Sequence, residues 1–394
     1  MKKEGDGMLR VILNPKEEEN LLCGFPWVYN NEVNSFIGTI ENGAVVRVEA
    51  SNQTFVGYGF FNMDSKLMVR MLTLEEEIIN EEFFRKRIRY ALEHRKSLGF
   101  GSCCRLIFAE ADFLPGLIVD QYGDYLSVQF LCLGMEKIKD LIVKLLVELL
   151  QPAGIYERDD VSIREKEGLP QVKGFLYKEF NPRVEVVENG IRFIVDIEHG
   201  QKTGYFLDQK LNRDCLKYYV KDKVVLDCFS NVGGFALHAC KYGAKHVDAC
   251  DISKLACEDI RFNASLNGFT NLNVICTDVF DYLRQEELKD TYDVIILDPP
   301  AFTKDKATVK KAYRGYKEIN LQALKLIRSG GYLLTFSCSQ HMTPDLFMQM
   351  VKEAAMDAKR QGQFLDFRIQ APDHPALLSG KEQLYLKSLI VRVK

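Results

Sequence analysis

Short apolar strands alternate with helical runs across the second half of the chain, and several of these strands end in an aspartate. Val224–Leu226 leads to Asp227, and similar runs lead to Asp251, Asp278 and Asp298. Strands that alternate with helices predict a parallel sheet whose carboxyl-terminal edge holds all four carboxylates. Aspartates that only cap the following helices are the simpler interpretation for one or two of them. All four together favour a ligand site, because such sheets bind ligands at this edge.

The turn after the first of these strands carries Gly233 and Gly234, which allow a tight entry into a helix. The segment 230–235 does not fit the G-x-G-x-x-G pattern of a dinucleotide pyrophosphate site. After the fourth strand, Asp298 runs into two prolines, which form a rigid extended loop because they can neither continue a helix nor donate to a ladder. This loop is typical of class I methyltransferases, so we favour S-adenosylmethionine as the cofactor.

Asp251 is expected to accept hydrogen bonds from both ribose hydroxyls, and Asp278 to lie at an adenine edge. A polar, glycine-containing loop, 199–209, precedes the sheet and is expected to close over the cofactor, although a plain turn would show similar residues. The predicted cofactor-binding residues are Gln201, Lys202, Thr203, Phe206, Asp227, Phe229, Ser230, Asn231, Gly233, Asp251, Asp278 and Asp298.

Cys338 follows the predicted fifth strand, Gly331–Phe336, and is surrounded by polar residues. The fifth strand is expected beside the fourth, so Cys338 and Asp298 should face one pocket. A thiolate that adds to carbon 6 of a pyrimidine, with a carboxyl group at nitrogen 3, makes carbon 5 nucleophilic enough to attack a sulfonium methyl group. We therefore predict Cys338 and Asp298 as catalytic residues. Cys228 is the rival thiol, and His341 is a candidate proton acceptor to which no role is assigned.

Two basic segments are candidates for RNA contacts. Cations interleaved with aromatic residues follow the Asp298 loop, and a predicted helix over 75–98 carries six cations against three acids between Glu81 and Lys96. Solvated helix faces are the alternative for both. The predicted RNA-binding residues are Lys304, Arg314, Tyr316, Lys317, Arg85 and Arg89.

The strand and helix patterns divide the chain into three predicted domains. Residues 1–74 form a small β-rich unit with predicted strands at 9–13, 44–48, 55–60 and 67–71, in which Trp27 is interpreted as a core anchor. Residues 75–180 form a β-β-β-α-β module that ends in a charged linker over 160–179. Residues 181–394 form an α/β domain that begins with a hairpin turning at Asn189-Gly190 and contains a seven-stranded sheet with an antiparallel last strand.

The composition narrows the class of protein. The chain has 394 residues, of which 47% are hydrophobic. Its net charge of -3 does not by itself indicate that the protein binds nucleic acid. Its 11 cysteines form no Cys-x-x-Cys pair, which argues against structural zinc and a disulfide scaffold. No metal site is predicted. The absence of a signal sequence or long apolar run predicts a cytoplasmic protein without a membrane partner.

Several motifs together give the chain a strong resemblance to the bacterial RlmI-type ribosomal RNA large-subunit methyltransferases, which make 5-methylcytosine in 23S rRNA. They include Phe25-Pro-Trp27, Leu114-Pro-Gly116, the 201–209 loop, Phe229-Ser-x-x-Gly-Gly-Phe235, Asp298-Pro-Pro-x-Phe302, Arg314-Gly-Tyr-Lys317 and Leu334-Thr-Phe-Ser-Cys-Ser339. The resemblance implies an N-terminal PUA domain, a middle α+β domain and a class I, Rossmann-like catalytic domain.

The resemblance also implies functional roles. Cys338 would be the nucleophile, Asp298 would lie at the base, and Asp227, Asp251 and Asp278 would lie toward the cofactor. The implied partner is 23S rRNA or a large-subunit assembly intermediate, and a homodimer is also considered. Ala301 departs from the lysine common after Asp-Pro-Pro, which leaves the RNA target open.

Two other functions stay open from the sequence. One is a methyltransferase that acts on another base atom, where Cys338 is idle. The other is a non-catalytic RNA-binding or assembly factor that keeps S-adenosylmethionine as a structural ligand.

Overall fold

The computed structural model describes residues 8–303, 305–380 and 383–394. Its backbone contacts group the chain into two compact units. The first unit runs to residue 186 and also includes 195–207 and 372–383, and the second contains 187–194, 208–371 and 384–394. The first two predicted domains thus fall in one unit, and the division into domains at 74 and 180 stays a prediction.

The N-terminal part of the first unit is a six-stranded sheet with the strand order β2-β6-β5-β4-β1-β3. Its elements are β1 (Arg10–Leu13), α1 (Glu18–Leu22), β2 (Trp27–Tyr29), β3 (Val33–Ile37), β4 (Val45–Glu49), β5 (Phe55–Phe61) and β6 (Leu67–Thr73). The sequence predicted β1, β4, β5 and β6 but missed the two edge strands, which are short and bury little of their surface. Trp27 is half-buried, and its indole nitrogen donates to Glu110 Oε1 at 3.0 Å.

The rest of the first unit is built on a five-stranded sheet with the order β11-β10-β9-β8-β7. Its elements are α2 (Glu81–Leu98), β7 (Cys103–Phe108), β8 (Leu117–Tyr122), β9 (Tyr125–Phe130), α3 (Leu133–Lys137), α4 (Lys139–Leu150), β10 (Gly154–Asp159) and β11 (Val172–Tyr177). The predicted linker over 160–179 is wrong in part, because β11 pairs with β10 inside it. α2 begins six residues later than predicted, where the Asn80 side chain accepts from Phe83 N at 3.1 Å.

The hairpin β12 (Arg183–Glu188) and β13 (Ile191–Asp196) confirms the predicted turn at Asn189-Gly190. Its tip groups with the second unit.

The second unit contains a seven-stranded sheet. Its strands are β14 (Val224–Cys228), β15 (His246–Asp251), β16 (Leu272–Cys276), β17 (Tyr292–Leu297), β18 (Ile327–Ser337), β19 (Gly362–Arg368) and β20 (Lys387–Val393). Its helices are α5 (Lys210–Asp214), α6 (Gly234–Lys241), α7 (Lys254–Leu266), α8 (Val279–Tyr282), α9 (Val309–Leu326) and α10 (Pro344–Asp357). The order is β16-β15-β14-β17-β18-β20-β19, and β20 runs antiparallel to both neighbours. The predicted sheet and the pairing of its fourth and fifth strands are confirmed.

Both faces of this sheet are buried. Leu226 and Ile295 belong to one core with α9 and α10, whereas Val225 and Val294 belong to a second core with α6. Successive residues of a strand point to opposite faces, so strands that are apolar at every position are buried on both sides. The chemistry is therefore confined to the strand ends. Among the described residues, no helix is long and apolar enough to cross a membrane.

Candidate active site

The carboxyl-terminal edge of the seven-stranded sheet gathers the predicted acidic residues. β14, β15, β16, β17 and β18 are parallel neighbours, so their carboxyl ends meet at this edge. Asp227 is the penultimate residue of β14 and Asp251 is the last residue of β15, whereas Asp298 directly follows β17 and Cys338 directly follows β18. The topological switch point lies between β14 and β17, where ligands of doubly wound sheets bind.

Asp227 is buried at the centre of this edge, with 1% of its surface exposed. Its Oδ2 accepts from Ser230 Oγ at 2.5 Å and from Ala236 N at 3.0 Å, while its Oδ1 has no hydrogen-bond partner in the part of the chain that the structure describes. Burial raises the pKa of Asp227 to about 7, and the charges of Asp298 and Asp251 act in the same direction. A buried carboxylate oxygen without a donor is suited to a polar or cationic group of a ligand.

The turn from β14 into α6 has an unusual backbone. Phe229, Asn231 and Gly233 all have positive φ, at 61°, 52° and 89°. Left-handed conformations of residues other than glycine are uncommon and cluster at functional sites. The turn directs Asn231 N to Asp251 Oδ2 at 2.9 Å, which ties the first strand end to the second.

Asp251 and Asp278 lie in different settings. Asp251 accepts from Asn231 N and from Ser253 N, both at 2.9 Å, and is half-buried. Asp278 is also half-buried and caps α8, because its Oδ1 accepts from Phe280 N at 2.7 Å. The capping interpretation therefore holds for Asp278, whose second oxygen remains available for the predicted adenine contact.

Asp298 is oriented by Gln209, which sequence reasoning did not assign. Gln209 Nε2 donates to Asp298 Oδ1 at 3.0 Å, and Gln209 Oε1 accepts from Asn212 Nδ2 at 2.7 Å. Both amide residues are at most 2% exposed. Gln209 ends the polar motif 201–209, so the motif itself was the available signal.

Cys338 and its rival Cys228 differ in accessibility. Cys338 is half-buried at the edge. Cys228 is fully buried inside β14, and burial raises its pKa well above the usual range of a thiol. A thiol must ionise to act as a nucleophile, so the setting disfavours Cys228. Of these two thiols, Cys338 is therefore the better candidate for a nucleophile.

The segment that carries Cys338 is held from both sides. Tyr316 OH and Ser339 Oγ are 2.9 Å apart, and the buried Lys387 donates from Nζ to Ser339 O at 2.6 Å. The Asp298 loop is held by the same tyrosine, because the Phe302 ring packs 4.5 Å from the ring of Tyr316. Sequence reasoning missed Lys387, although a lone lysine in an apolar final strand was a visible signal.

The remaining predicted cofactor residues lie in the first unit. Thr203 is buried there, donates to Asp120 and lies 3.2 Å from Tyr122 OH. Gln201 and Lys202 are exposed, and the Lys202 ammonium lies 4.6 Å from the centre of the half-buried Phe206 ring. Their role in closing over a cofactor stays a prediction.

The predicted RNA-binding residues divide by accessibility. Arg314 and Arg89 are exposed. Lys317 is paired with Asp357 at 2.9 Å, and Arg85 with Glu81 and Glu148, both at 2.7 Å.

Tyr316 and Lys304 are the other two predicted RNA contacts. Tyr316 has 0% exposure, so it cannot present a ring face to a base, and this part of the prediction is corrected to a packing role. Lys304 lies outside the described residues.

One cluster of carboxylates has the spacing of a metal site, but cations already occupy it. Glu136, Glu157 and Asp159 lie close together in the first unit. Lys139 bridges the two glutamates at 2.6 and 2.5 Å, and Arg164 pairs with Asp159 at 2.5 Å. The cluster is therefore interpreted as a buried ion-pair network.

Comparison with protein families gives two matches. The model for PUA-like domains matches residues 11–74, and the model for S-adenosylmethionine-dependent methyltransferases matches residues 172–390. The first segment contains the six-stranded sheet apart from Arg10, and the second contains the whole of the candidate site.

Curated relatives match almost the full length. A protein of Aliivibrio fischeri (strain MJ11) named ribosomal RNA large subunit methyltransferase I is 42% identical over 97% of this chain and 99% of its own. A protein of the same name from Shewanella denitrificans is 41% identical over 98% and 99%.

Solved structures share the fold. A candidate SAM-dependent methyltransferase from Streptococcus mutans has a TM-score of 0.82 at 23% identity, covering 98% of this chain and 100% of its own. A candidate methyltransferase complexed with SAH has a TM-score of 0.83 at the same identity and coverage.

Proposed function

The chain belongs to the S-adenosylmethionine-dependent methyltransferase family, and from this premise we propose that it methylates carbon 5 of a cytosine in 23S ribosomal RNA. The observation that carries the proposal is the position of Cys338. It is the half-buried thiol at a sheet edge that also holds Asp298, at the end of the adjacent parallel strand.

The residues at the edge fit S-adenosylmethionine. The cofactor carries a sulfonium, an ammonium group and two ribose hydroxyls, which suit an edge lined by carboxylates. Asp227 offers an oxygen that lacks a donor, and Asp251 is fixed by two backbone N–H groups with lone pairs left for hydroxyls. When bound, the cofactor supplies an electrophilic methyl group.

Cys338 and Asp298 have separate roles in the proposed reaction. The Cys338 thiolate adds to carbon 6 of cytosine, and the carbon 5–carbon 6 π electrons become available at carbon 5. Asp298, in its protonated form, donates a hydrogen bond to the lone pair of ring nitrogen 3 and stabilises the electron-rich ring. After carbon 5 has gained its methyl group, its proton leaves to a base, the carbon 5–carbon 6 double bond re-forms, and the sulfur–carbon bond breaks to release the thiolate.

The RNA substrate is supported by the names of the relatives and by two features of this chain. The curated relatives are named ribosomal RNA large subunit methyltransferase I, and residues 11–74 match PUA-like domains. Arg314 is exposed on α9, the helix that follows the Asp298 loop. An exposed cation beside a base-binding loop is suited to the phosphates that flank a target nucleotide.

The test is covalent capture of 5-fluorocytidine. Purified protein is incubated with labelled S-adenosylmethionine and unmodified large-subunit rRNA containing 5-fluorocytidine, whose carbon 5 cannot release its substituent. The expected result is an adduct that survives denaturation. It should be absent from Cys338→Ala and present in Cys276→Ala, which removes an exposed thiol of β16.

Two other outcomes would contradict the proposed reaction. Methylation of ordinary rRNA without an adduct would overturn the thiolate mechanism and favour another base atom. Binding of RNA and cofactor without turnover would favour a non-catalytic assembly factor.

A further inference from the structure

Lys387 is a buried lysine at the candidate site. It lies at the start of β20, opposite Ser337 on β18, and 2% of its surface is exposed. Its Nζ donates to the carbonyl oxygens of Ser339, at 2.6 Å, and Tyr385, at 2.7 Å. Ser339 is the residue after Cys338, so the ammonium group holds the backbone that carries the thiol.

The charge of Lys387 is not balanced by an acid. Within residues 8–303, 305–380 and 383–394, Lys387 forms no ion pair with a carboxylate. Two neutral carbonyl groups satisfy donors but do not neutralise a charge. A buried ammonium without a counter-ion is destabilising, so this position favours an anion nearby.

Among the described groups around Lys387, Cys338 is the one that can supply that anion. α9 presents Tyr316, whose pKa is raised by burial and which therefore stays neutral near pH 7. The approach to β20 presents Tyr385, whose hydroxyl donates to Asp208 at 2.6 Å. The segment after β18 presents Cys338, whose negative form interacts favourably with the Lys387 ammonium.

We propose that Lys387 is a positioning residue that serves as the counter-ion of the Cys338 thiolate and fixes the backbone beside it. The inference rests on the proposed function, because it concerns the nucleophile of that reaction. The thiol proton passes to solvent when Cys338 ionises, and Lys387 stays protonated. No bond to Lys387 forms or breaks.

The titration of Lys387 is consistent with this role. Burial lowers the pKa of Lys387 to about 8, and Cys338 opposes this shift. At pH 7 the ammonium form therefore predominates.

The experiment measures the pH dependence of Cys338 alkylation without RNA or cofactor. Iodoacetamide labelling is followed by mass spectrometry of the Cys338 peptide between pH 5.5 and 9.5 in the full chain. The exposed Cys23 is the internal reference. In the wild type, Cys338 is expected to become reactive about one pH unit below Cys23, because only the thiolate is alkylated.

Two variants separate charge from hydrogen bonding. Lys387→Met removes both, and Lys387→Gln keeps a donor but removes the charge. Both are expected to shift the Cys338 profile upward by about one pH unit, which is roughly tenfold slower labelling at pH 7. Lys352→Met, on the exposed side of α10, should leave the profile unchanged.

Two results would overturn the proposal. One is an unchanged profile in Lys387→Gln. Another is a wild-type protein in which Cys338 becomes reactive at the same pH as Cys23 or at a higher pH. This second measurement does not depend on the folding of any variant.

Failure of the proposed function is distinguishable. If the 5-fluorocytidine adduct forms but the variants leave the profile unchanged, only the role of Lys387 is lost. If the profile shifts but no adduct forms, Lys387 still tunes Cys338 while the proposed reaction is wrong.

Discussion

Gln209 Nε2 donates to Asp298 Oδ1 at 3.0 Å, so a buried amide fixes the carboxylate that is proposed to contact the base. The amide is itself held by Asn212, which donates to Gln209 Oε1 at 2.7 Å. This chain of hydrogen bonds leaves Asp298 little rotational freedom. An aligned carboxylate matters because small displacements in a reaction centre are costly in rate.

Gln209→Leu should therefore reduce kcat about tenfold or more, because Asp298 loses its orienting donor. The affinity for S-adenosylmethionine should change less than threefold, as Gln209 is not among the residues expected to hold it. Single-turnover methylation and calorimetric binding of the cofactor measure the two effects. Gln363→Leu, at an exposed position of β19, is the matched control. An unchanged kcat in Gln209→Leu would show that Asp298 needs no orientation.

Asp227→Asn should weaken cofactor binding and stabilise the ligand-free protein above neutral pH. The folded pKa of about 7 exceeds the ordinary value for aspartate, so the folded state binds more protons across the interval from about 4 to about 7. The free energy of unfolding contributed by Asp227 is therefore lost as the pH rises through that interval. Asparagine removes this loss.

Urea unfolding of the ligand-free protein at pH 5 and pH 8 tests that sign. The unfolding free energy of Asp227→Asn minus that of the wild type should be larger at pH 8 than at pH 5, by at least about 1 kcal/mol. Asp222→Asn, on an exposed turn, should follow the wild type. A variant that is less stable at pH 8 than at pH 5, relative to wild type, would contradict the assignment of a costly buried charge.

His238 should make the second unit sensitive to acid. It is fully buried, with Nδ1 2.7 Å from Gly234 O and Nε2 3.0 Å from Asn189 Nδ2. Burial lowers its pKa to about 3, and the charge of Arg213 contributes. The unfolded state binds the extra proton below about pH 6.5, so stability present above that pH is lost as the pH falls toward 3.

The measurement is the free energy of urea unfolding at several pH values between 4 and 7. His238→Gln should show a shallower fall toward acid than the wild type, because the variant has no group to protonate. His199→Gln changes an exposed histidine and should keep the wild-type slope. Equal slopes in all three proteins would mean that His238 does not determine the acid response.

The strands of the second unit were predictable because each is a short apolar run followed by a polar turn. β14 and β17 are buried on both faces, and this makes them stand out from the helices between them. β3 and β11 were missed because they are edge strands with few buried positions, so their side chains show no alternation.

The candidate site was predictable only where function places a reactive side chain directly after a strand, as for Asp298 and Cys338. The partners that support them come from distant segments. Gln209 directly precedes α5 and Lys387 begins β20, and no local pattern records that they lie near Asp298 and Cys338. Tyr316 was misinterpreted because an aromatic residue on a basic helix has the same sequence signature whether its ring faces the core or the solvent.

RNA affinity should depend on exposed cations more than on paired ones. Arg314→Gln and Arg89→Gln should each weaken RNA binding and reduce the slope of log affinity against log salt by about one, as expected when one phosphate contact is lost. Lys317 and Arg85 already neutralise Asp357 and Glu148, so their glutamine variants should change the slope less. Filter binding of a large-subunit rRNA fragment at about 50–300 mM salt compares Arg314→Gln with the Lys317 variant, and Arg89→Gln with the Arg85 variant. A larger effect of the paired residues would mean that RNA breaks these ion pairs on binding and contacts Lys317 and Arg85 directly.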